Sequence, residues 1–273
     1  MSDVPPELSY PGGVRMRCVA PPTAPDFWSA MAAGKWEPQT VAALVALTGP
    51  DKTFLDIGGW IGPTAFVAAG RGAQVHSFEP DPKALQLYRL NLDLNPDLAK
   101  KVTLHEYAVG RTTGRATLTS GVLGDSTSSF AKRRGERVEV PVRAIQDLAK
   151  ETWFALADVV KMDVEGAEYE LMGEFARFLS HRRPHFLLST HVDYLSHRSP
   201  KSLKWVRRVV TVARLASHPR IVQQLHFYRH WYVPDDGHWR QISRNVAARN
   251  LLRYRNQEFL LSDTPLPLSI TAH

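Results

Sequence analysis

The sequence predicts an α/β fold: a mainly parallel sheet with helices on both faces. Short apolar runs alternate with helical patterns through the middle of the chain, so each strand must return by a crossover, which makes neighbouring strands parallel. The first run ends in glycines that open a helix, and the second ends in an acidic residue; ligands of open parallel sheets bind at such strand ends. Of the 273 residues, 44% are hydrophobic and 22% charged, proportions that exclude wholesale disorder. At about 100–200 residues per domain the length suits one large domain with attachments.

Residues 1–25 are proline-rich and without periodicity, and read as an extended arm. Asp26 is placed to cap a short helix through Trp28 and Met31 that Gly34 ends. Trp36-Glu-Pro38 opens a second helix to about Leu47, with Pro38 in the first turn, where a missing N–H costs nothing. Strands are expected at Thr53–Ile57, Gln74–Phe78, Val102–Tyr107, Val159–Asp163, Phe186–His191 and Glu258–Leu261. Helices are expected at Gly62–Ala69, Pro82–Leu94, Ala144–Leu148, Gly166–Ser180 and Ser202–Ala216. Arg115–Thr119 and Arg137–Val142 read as an added hairpin, with Gly121–Gly135 as a long, hydroxyl-rich loop suited to a lid or to open surface. The expected division is an arm with helices over 1–45 and the main domain over 46–273, with a basic extension from about residue 200.

Lys and Arg number 34 against 27 Asp and Glu, a net charge of +7. Residues 201–255 carry the whole excess, with twelve basic residues against Asp235 and Asp236. That stretch suits a solvated face, an anionic acceptor such as a phosphorylated sugar, or nucleic acid. No RNA-binding module is visible, so nucleic acid is the minor reading. His226-Phe-Tyr-Arg-His-Trp-Tyr232 interleaves aromatics with bases, which fits stacking on sugars or nucleobases, or simply a sheet-edge strand. The lone Cys18 excludes an internal disulfide framework. With no targeting pattern at Met1–Glu7 and no run of about 18 apolar residues, a cytoplasmic protein without a membrane span is expected.

The sharpest signal is Phe54-Leu-Asp-Ile-Gly-Gly-Trp-Ile-Gly62. Gly58 and Gly62 let the backbone turn tightly and a ligand approach, and the following helix start offers unpaired N–H groups. Glu79 ends the next strand seventeen residues on, where a carboxylate accepts both ribose hydroxyls. The pair implies an adenosine cofactor. Asp56, two residues before Gly58, would repel the pyrophosphate of a dinucleotide but suits the ammonium of an amino acid, which favours S-adenosyl-L-methionine over a nicotinamide. Asp56 as a turn cap remains the plainer reading.

These stretches, together with Gly34–Pro38, Asn91–Asn95, Ala108–Gly110 and the long motif Val160-Lys-Met-Asp-Val-Glu-Gly-Ala-Glu168, resemble the FkbM-type family of S-adenosylmethionine-dependent methyltransferases. The resemblance runs from about residue 34 to 191. It implies a class I methyltransferase fold (Rossmann-like), with a seven-stranded sheet and one antiparallel edge strand, and O-methylation of a small molecule such as a sugar or polyketide. It also implies that Glu79 and Pro80 bind the ribose side, the Asp56–Gly62 turn with Trp60 the methionine part, and Ala108 the adenine. Glu37 either reaches the cofactor or complements its helix dipole.

Methyl transfer needs a positioned acceptor and a base at a strand's carboxyl end. Lys161 and Asp163 fall on one face of their strand, where a charged pair is unexpected; Asp163 would face the methyl group or serve as a structural partner for Lys161. His191 ends the next strand and is the preferred base. Glu168 is expected to face the site on family grounds, ahead of Glu165. Asp163, His191 and Asp193 are an alternative metal set, but the usual acidic-plus-asparagine pattern is not evident, and no metal is expected. A nicotinamide-dependent oxidoreductase and a non-catalytic adenosine-binding protein stand as alternatives.

Overall fold

The computed structural model describes residues 5–120, 136–191, 220–252 and 257–271. The expected loop Gly121–Gly135, the expected helix Ser202–Ala216 and Asp193 lie outside them.

The chain opens with a hairpin, β1 (Leu8–Tyr10) and β2 (Val14–Met16), followed by α1 (Phe27–Ala32) and α2 (Pro38–Leu47). Then come β3 (Thr53–Ile57), α3 (Pro63–Gly70), β4 (Gln74–Phe78), α4 (Pro82–Asp93), α5 (Pro96–Ala99) and β5 (Val102–His105). A small second sheet is built from β6 (Ala108–Gly110), β7 (Gly114–Ser120) and β8 (Glu136–Ala144). After α6 (Ile145–Leu148) and α7 (Thr152–Ala155) the main sheet resumes with β9 (Val159–Met162), α8 (Glu168–Arg182) and β10 (His185–Thr190). The last described elements are α9 (Arg220–Gln224), β11 (His230–Asp235), β12 (His238–Ile242), α10 (Arg244–Leu252) and β13 (Gln257–Ser262). Pro38, Pro63, Pro82 and Pro96 each open a helix, where the fixed φ helps and no hydrogen bond is lost.

The main sheet has eight strands in the order β12-β11-β13-β10-β9-β3-β4-β5. The five from β10 to β5 are parallel. Seven strands with one antiparallel strand at the edge were expected. Instead β13 runs antiparallel inside the sheet, between β10 and β11, and β12 is added beyond. The extra strand comes from a tight turn in which Asp236 and Gly237 both have positive φ, 43° and 82°, the geometry that closes a two-residue hairpin. Trp239 on β12 is fully buried and donates its indole N–H to Gln39 O at 2.9 Å, fastening this edge to α2.

Strand alternation divides the core into two layers. Phe54, Val75, Val159 and Leu187 point to one side with α2 and α3; Leu55, Phe78, Val160 and Phe186 point to the other with α8. The arm belongs to the first layer. Tyr10, Val14 and Met16 are buried there, so residues 8–16 are a packed hairpin and not an open extension. Asn91 of α4 and Asn95, just before α5, hold the chain that follows the hairpin. Asn95 accepts from Arg17 N at 2.9 Å and donates to Arg17 O, and Asn91 accepts from Val19 N at 2.7 Å. A side-chain amide thus supplies the pairing that a neighbouring strand would supply. Asp26 precedes α1 but makes no capping bond through its side chain. Trp231 and Tyr232 are buried in β11, so they are core residues and not a stacking platform for sugars or bases.

Candidate active site

The glycine turn is pinned to the neighbouring strand. Gly58 N and Gly59 N both donate to Phe78 O at 3.0 Å. Gly58 has φ +91°, and a Cβ there would lie 1.9 Å from the carbonyl oxygen of Asp163, so only glycine lets β3 and β9 end this close together. Trp60, in a left-handed conformation, donates its backbone N–H to Glu79 Oε2 at 2.9 Å, and Asp81 N donates to Glu79 Oε1 at 2.7 Å. Two backbone donors therefore hold the Glu79 carboxyl at the end of β4. Burial nevertheless pushes its pKa up to about 8, the two hydrogen bonds only moderating the shift.

Two adjoining cavities open at these strand ends and share Gly58, Trp60, Asp163 and Glu165. The first is an apolar slot between Phe78, Pro80, Ala108, Val109, Leu118 and Leu171, with Glu79 on its wall. The second is walled by Phe27 and Trp36 and carries Glu37, Lys161, Asp163 and His191.

Of the residues expected to bind a cofactor, Glu37, Gly58, Trp60, Glu79, Pro80, Ala108 and Asp163 line these cavities. Asp56 and Gly62 line neither. Asp56 stands behind the turn, fully buried, with Oδ2 accepting from Thr64 Oγ1 at 2.9 Å and Ser77 Oγ at 3.2 Å. Its register partner on β9 is Lys161, so Asp56 braces the turn and faces the lysine. Its Oδ1 is buried without a hydrogen-bond partner. Gly62 caps α3 with φ +97°.

Lys161 is buried and pairs with Asp163 Oδ2 at 3.0 Å. Burial alone would lower its pKa, but Asp163, Glu37 and Asp56 hold it above the usual lysine range. Burial alone would raise Asp163, but Lys161 and His191 hold it below the usual carboxylate range. Glu37 takes a left-handed backbone at the start of α2, and burial pushes its carboxyl up to about 8 against the pull of Lys161.

His191 follows β10 directly. Its Nδ1 lies 2.8 Å from Glu168 Oε1, and its Nε2 lies 3.5 Å from Asp163 Oδ1 and 3.9 Å from Glu165 Oε2. Glu168 is fully buried beneath the ring and lines neither cavity; it touches the site through His191. Glu165, ranked behind Glu168 in the sequence reading, is the acid that lines both cavities. Donor atoms of Asp163, Glu165 and His191 lie within 4.8 Å of one another. Lys161 is already the counter-ion of Asp163, and Glu168 on Nδ1 leaves Nε2 as the ring atom that faces this group. Two walls escaped the sequence reading: the aliphatic Leu118 with its hairpin, and the aromatic pair Phe27 and Trp36. Trp36 lies inside the Gly34–Pro38 motif, which was the available signal.

A model of the methyltransferase FkbM domain matches residues 55–247. The chain belongs to the FkbM methyltransferase family. The family is one of methyltransferases, which implies a methyl donor. A search of curated proteins returned no match. Among solved structures it is similar to methyltransferase FkbM from Methylobacillus flagellatus KT at 16% identity and TM-score 0.43, covering 86% of this chain and 60% of that one. The chain thus spans less than two thirds of that relative. It is also similar to the bifunctional kinase-methyltransferase WbdD (13%, TM-score 0.44, 89% and 43% covered). A third is a SAM-dependent O-methyltransferase from Thermotoga maritima (11%, TM-score 0.38, 85% and 67% covered). Family membership sets aside the oxidoreductase reading. No helix among the described residues is long and apolar enough to cross a membrane.

Proposed function

We propose that this FkbM-family chain is an S-adenosyl-L-methionine-dependent O-methyltransferase whose acceptor is a hydroxyl of a small, uncharged molecule such as a sugar or polyketide. The observation that carries the reading is the pairing of the cavities: a carboxyl at an apolar slot, joined through Gly58 and Asp163 to a second chamber that holds His191. The residues fit the donor. The slot beside Pro80 and Ala108 suits a flat adenine. Glu79, fixed by Trp60 N and Asp81 N, keeps a lone pair on each oxygen for the ribose hydroxyls. The buried, unpartnered Oε2 of Glu37 in the second cavity suits an ammonium group.

When bound, S-adenosyl-L-methionine supplies a methyl group already activated on a positively charged sulphur. The protein's work is then to orient the acceptor against Phe27 and Trp36, exclude water, and take the hydroxyl proton at His191 Nε2. Glu168 on Nδ1 fixes the ring so that Nε2 faces the chamber. Among the described residues this chamber carries Glu37, Asp163 and Glu165 against Lys161 and His191, with no arginine. That balance favours an uncharged polyhydroxyl over an anionic acceptor, which was one of the readings open for the basic stretch. The test is incubation with isotopically labelled donor and a panel of sugar and polyketide alcohols, with the label mapped by mass spectrometry. Label on oxygen supports the reading; label on nitrogen, carbon or RNA overturns it.

A further inference from the structure

His191 is flanked by acids on both ring nitrogens. A neutral imidazole has one N–H and one lone pair, so with ionised neighbours it would aim that lone pair at an anion. Only the imidazolium donates in both directions. Burial by itself would lower the ring's pKa, yet the hydrogen bond to Glu168 and the charges of Asp163 and Glu165 bring it to about 9. An imidazolium fits this setting of carboxylates, and an imidazolium cannot take a hydroxyl proton.

The groups facing the ring come from several elements. Lys161 and Asp163 stand at the end of β9, with Glu165 in the turn beyond it. Glu168 projects from α8 and Glu258 from β13, and Glu37 faces the Lys161–Asp163 pair from the start of α2. The side-chain oxygens Glu37 Oε2 and Glu168 Oε2 are buried without hydrogen-bond partners. Lys161 and His191 supply the positive charge against these carboxyls.

We infer that this carboxylate cage holds one movable positive charge, carried by the His191 proton at one stage of the cycle and by the donor's sulphur at another. The inference rests on the function proposed above. Binding of the donor places a second positive charge beside Asp163, and His191 releases its Nε2 proton to solvent, which makes it a base only once the donor is in place. Glu168 keeps the Nδ1 proton and is a positioning residue. In the transfer the acceptor oxygen forms the new C–O bond with a lone pair, the C–S pair stays on sulphur, which becomes neutral, and the hydroxyl proton passes to Nε2. The charge in the cage is the same before and after, so no net charge is created in a poorly solvated site.

The test is calorimetric binding at pH 8 in buffers of different ionisation enthalpy. S-adenosyl-L-methionine should release close to one proton more per site than S-adenosylhomocysteine, which lacks the charged sulphur. Glu37 and Glu79, both pushed up to about 8, also answer to the added charge, so the share of His191 is the part of the difference that its substitution removes. His191→Gln should bind both ligands and remove most of the difference, and the ring ¹⁵N shifts of His191 in the unsubstituted protein give the same readout without a variant. Glu168→Gln should lower kcat and shift the pH profile while leaving KM for the donor little changed. Equal proton release for the two ligands overturns the inference but leaves the proposed function standing; failure of both ligands to bind overturns both.

Discussion

Replacing Lys161 with methionine removes the counter-charge of the site without emptying its space. The Lys161–Asp163 contact is 3.0 Å and Lys161 is 5% exposed. At an effective dielectric of about 20, opposite charges at that distance attract by about 5 kcal/mol. The net value of the pair is smaller, because both ions were desolvated to form it, but removing one partner leaves the other buried and unpaired, which costs about 3–5 kcal/mol. Asp56 and Glu37 lose the same neighbour. In the unsubstituted protein Asp163 has a lowered pKa, so its stabilisation is present above the usual carboxylate range and lost on acidification. In Lys161→Met the nearby carboxyls become raised, and each then weakens the fold as pH rises. Urea unfolding followed at pH 5.5 and pH 8 should therefore show a stability gap of about 3–5 kcal/mol at pH 8 that narrows at pH 5.5. The double variant Lys161→Met/Asp163→Asn should recover most of the loss. A single-variant cost below about 1 kcal/mol at pH 8, or a double variant no more stable than the single, would refute the idea that one ion pair neutralises this row of carboxylates.

Glu79→Gln replaces one of two acceptor oxygens with a donor facing Trp60 N or Asp81 N, and should weaken S-adenosylhomocysteine binding in calorimetry by roughly 10–100-fold, about 1.4–2.8 kcal/mol. Gly58→Ala forces a Cβ against the Asp163 carbonyl at a positive φ, and should cost about 2–4 kcal/mol in thermal or urea unfolding together with detectable cofactor binding. His76 stacks on Trp153 at 4.0 Å, with its Nδ1 3.0 Å from His105 Nε2. Burial lowers both histidines to about 4, so their contribution is present above pH 6.5 and lost as pH falls toward 4. Trp153 fluorescence should follow that loss, and His76→Gln should move the acid transition to lower pH.

Local chemistry made the central sheet legible. The apolar runs of β3, β4 and β9, the glycine turn and Glu79 are each set by residues within a few positions of one another, and the structure puts them at one sheet end. What escaped depends on distant partners. The arm reads as unstructured until Asn91 and Asn95, more than seventy residues away, pair with its backbone. The Asp236–Gly237 hairpin carried a local signal, but its aromatic neighbours fitted a binding stripe as well as an edge strand; the Trp239 bond to Gln39, two hundred residues away, is what fastens this edge to the body. Asp56 was placed on the correct strand, and its orientation followed from alternation: it shares a face with Phe54 and its register partner Lys161, and so points under the turn. The acidic surroundings of His191 were out of reach of the sequence because they require Glu168 and Asp163 on opposite sides of one ring.

The strained backbone of the site makes sense in the same terms. Glu37, Trp60 and Glu165 have φ of 37°, 50° and 52°, conformations that cost about 1–3 kcal/mol each and persist only where the surroundings enforce them. Glycine would relieve that strain at any of the three, yet each has a side chain that lines a cavity. Trp60 also delivers the backbone N–H that fixes Glu79, and Glu165 contributes to the acid ring around His191. The fold thus accepts local strain at the three corners where it needs both a sharp backbone turn and a functional side chain, which ties the shape of the chamber to the charge it is built to hold.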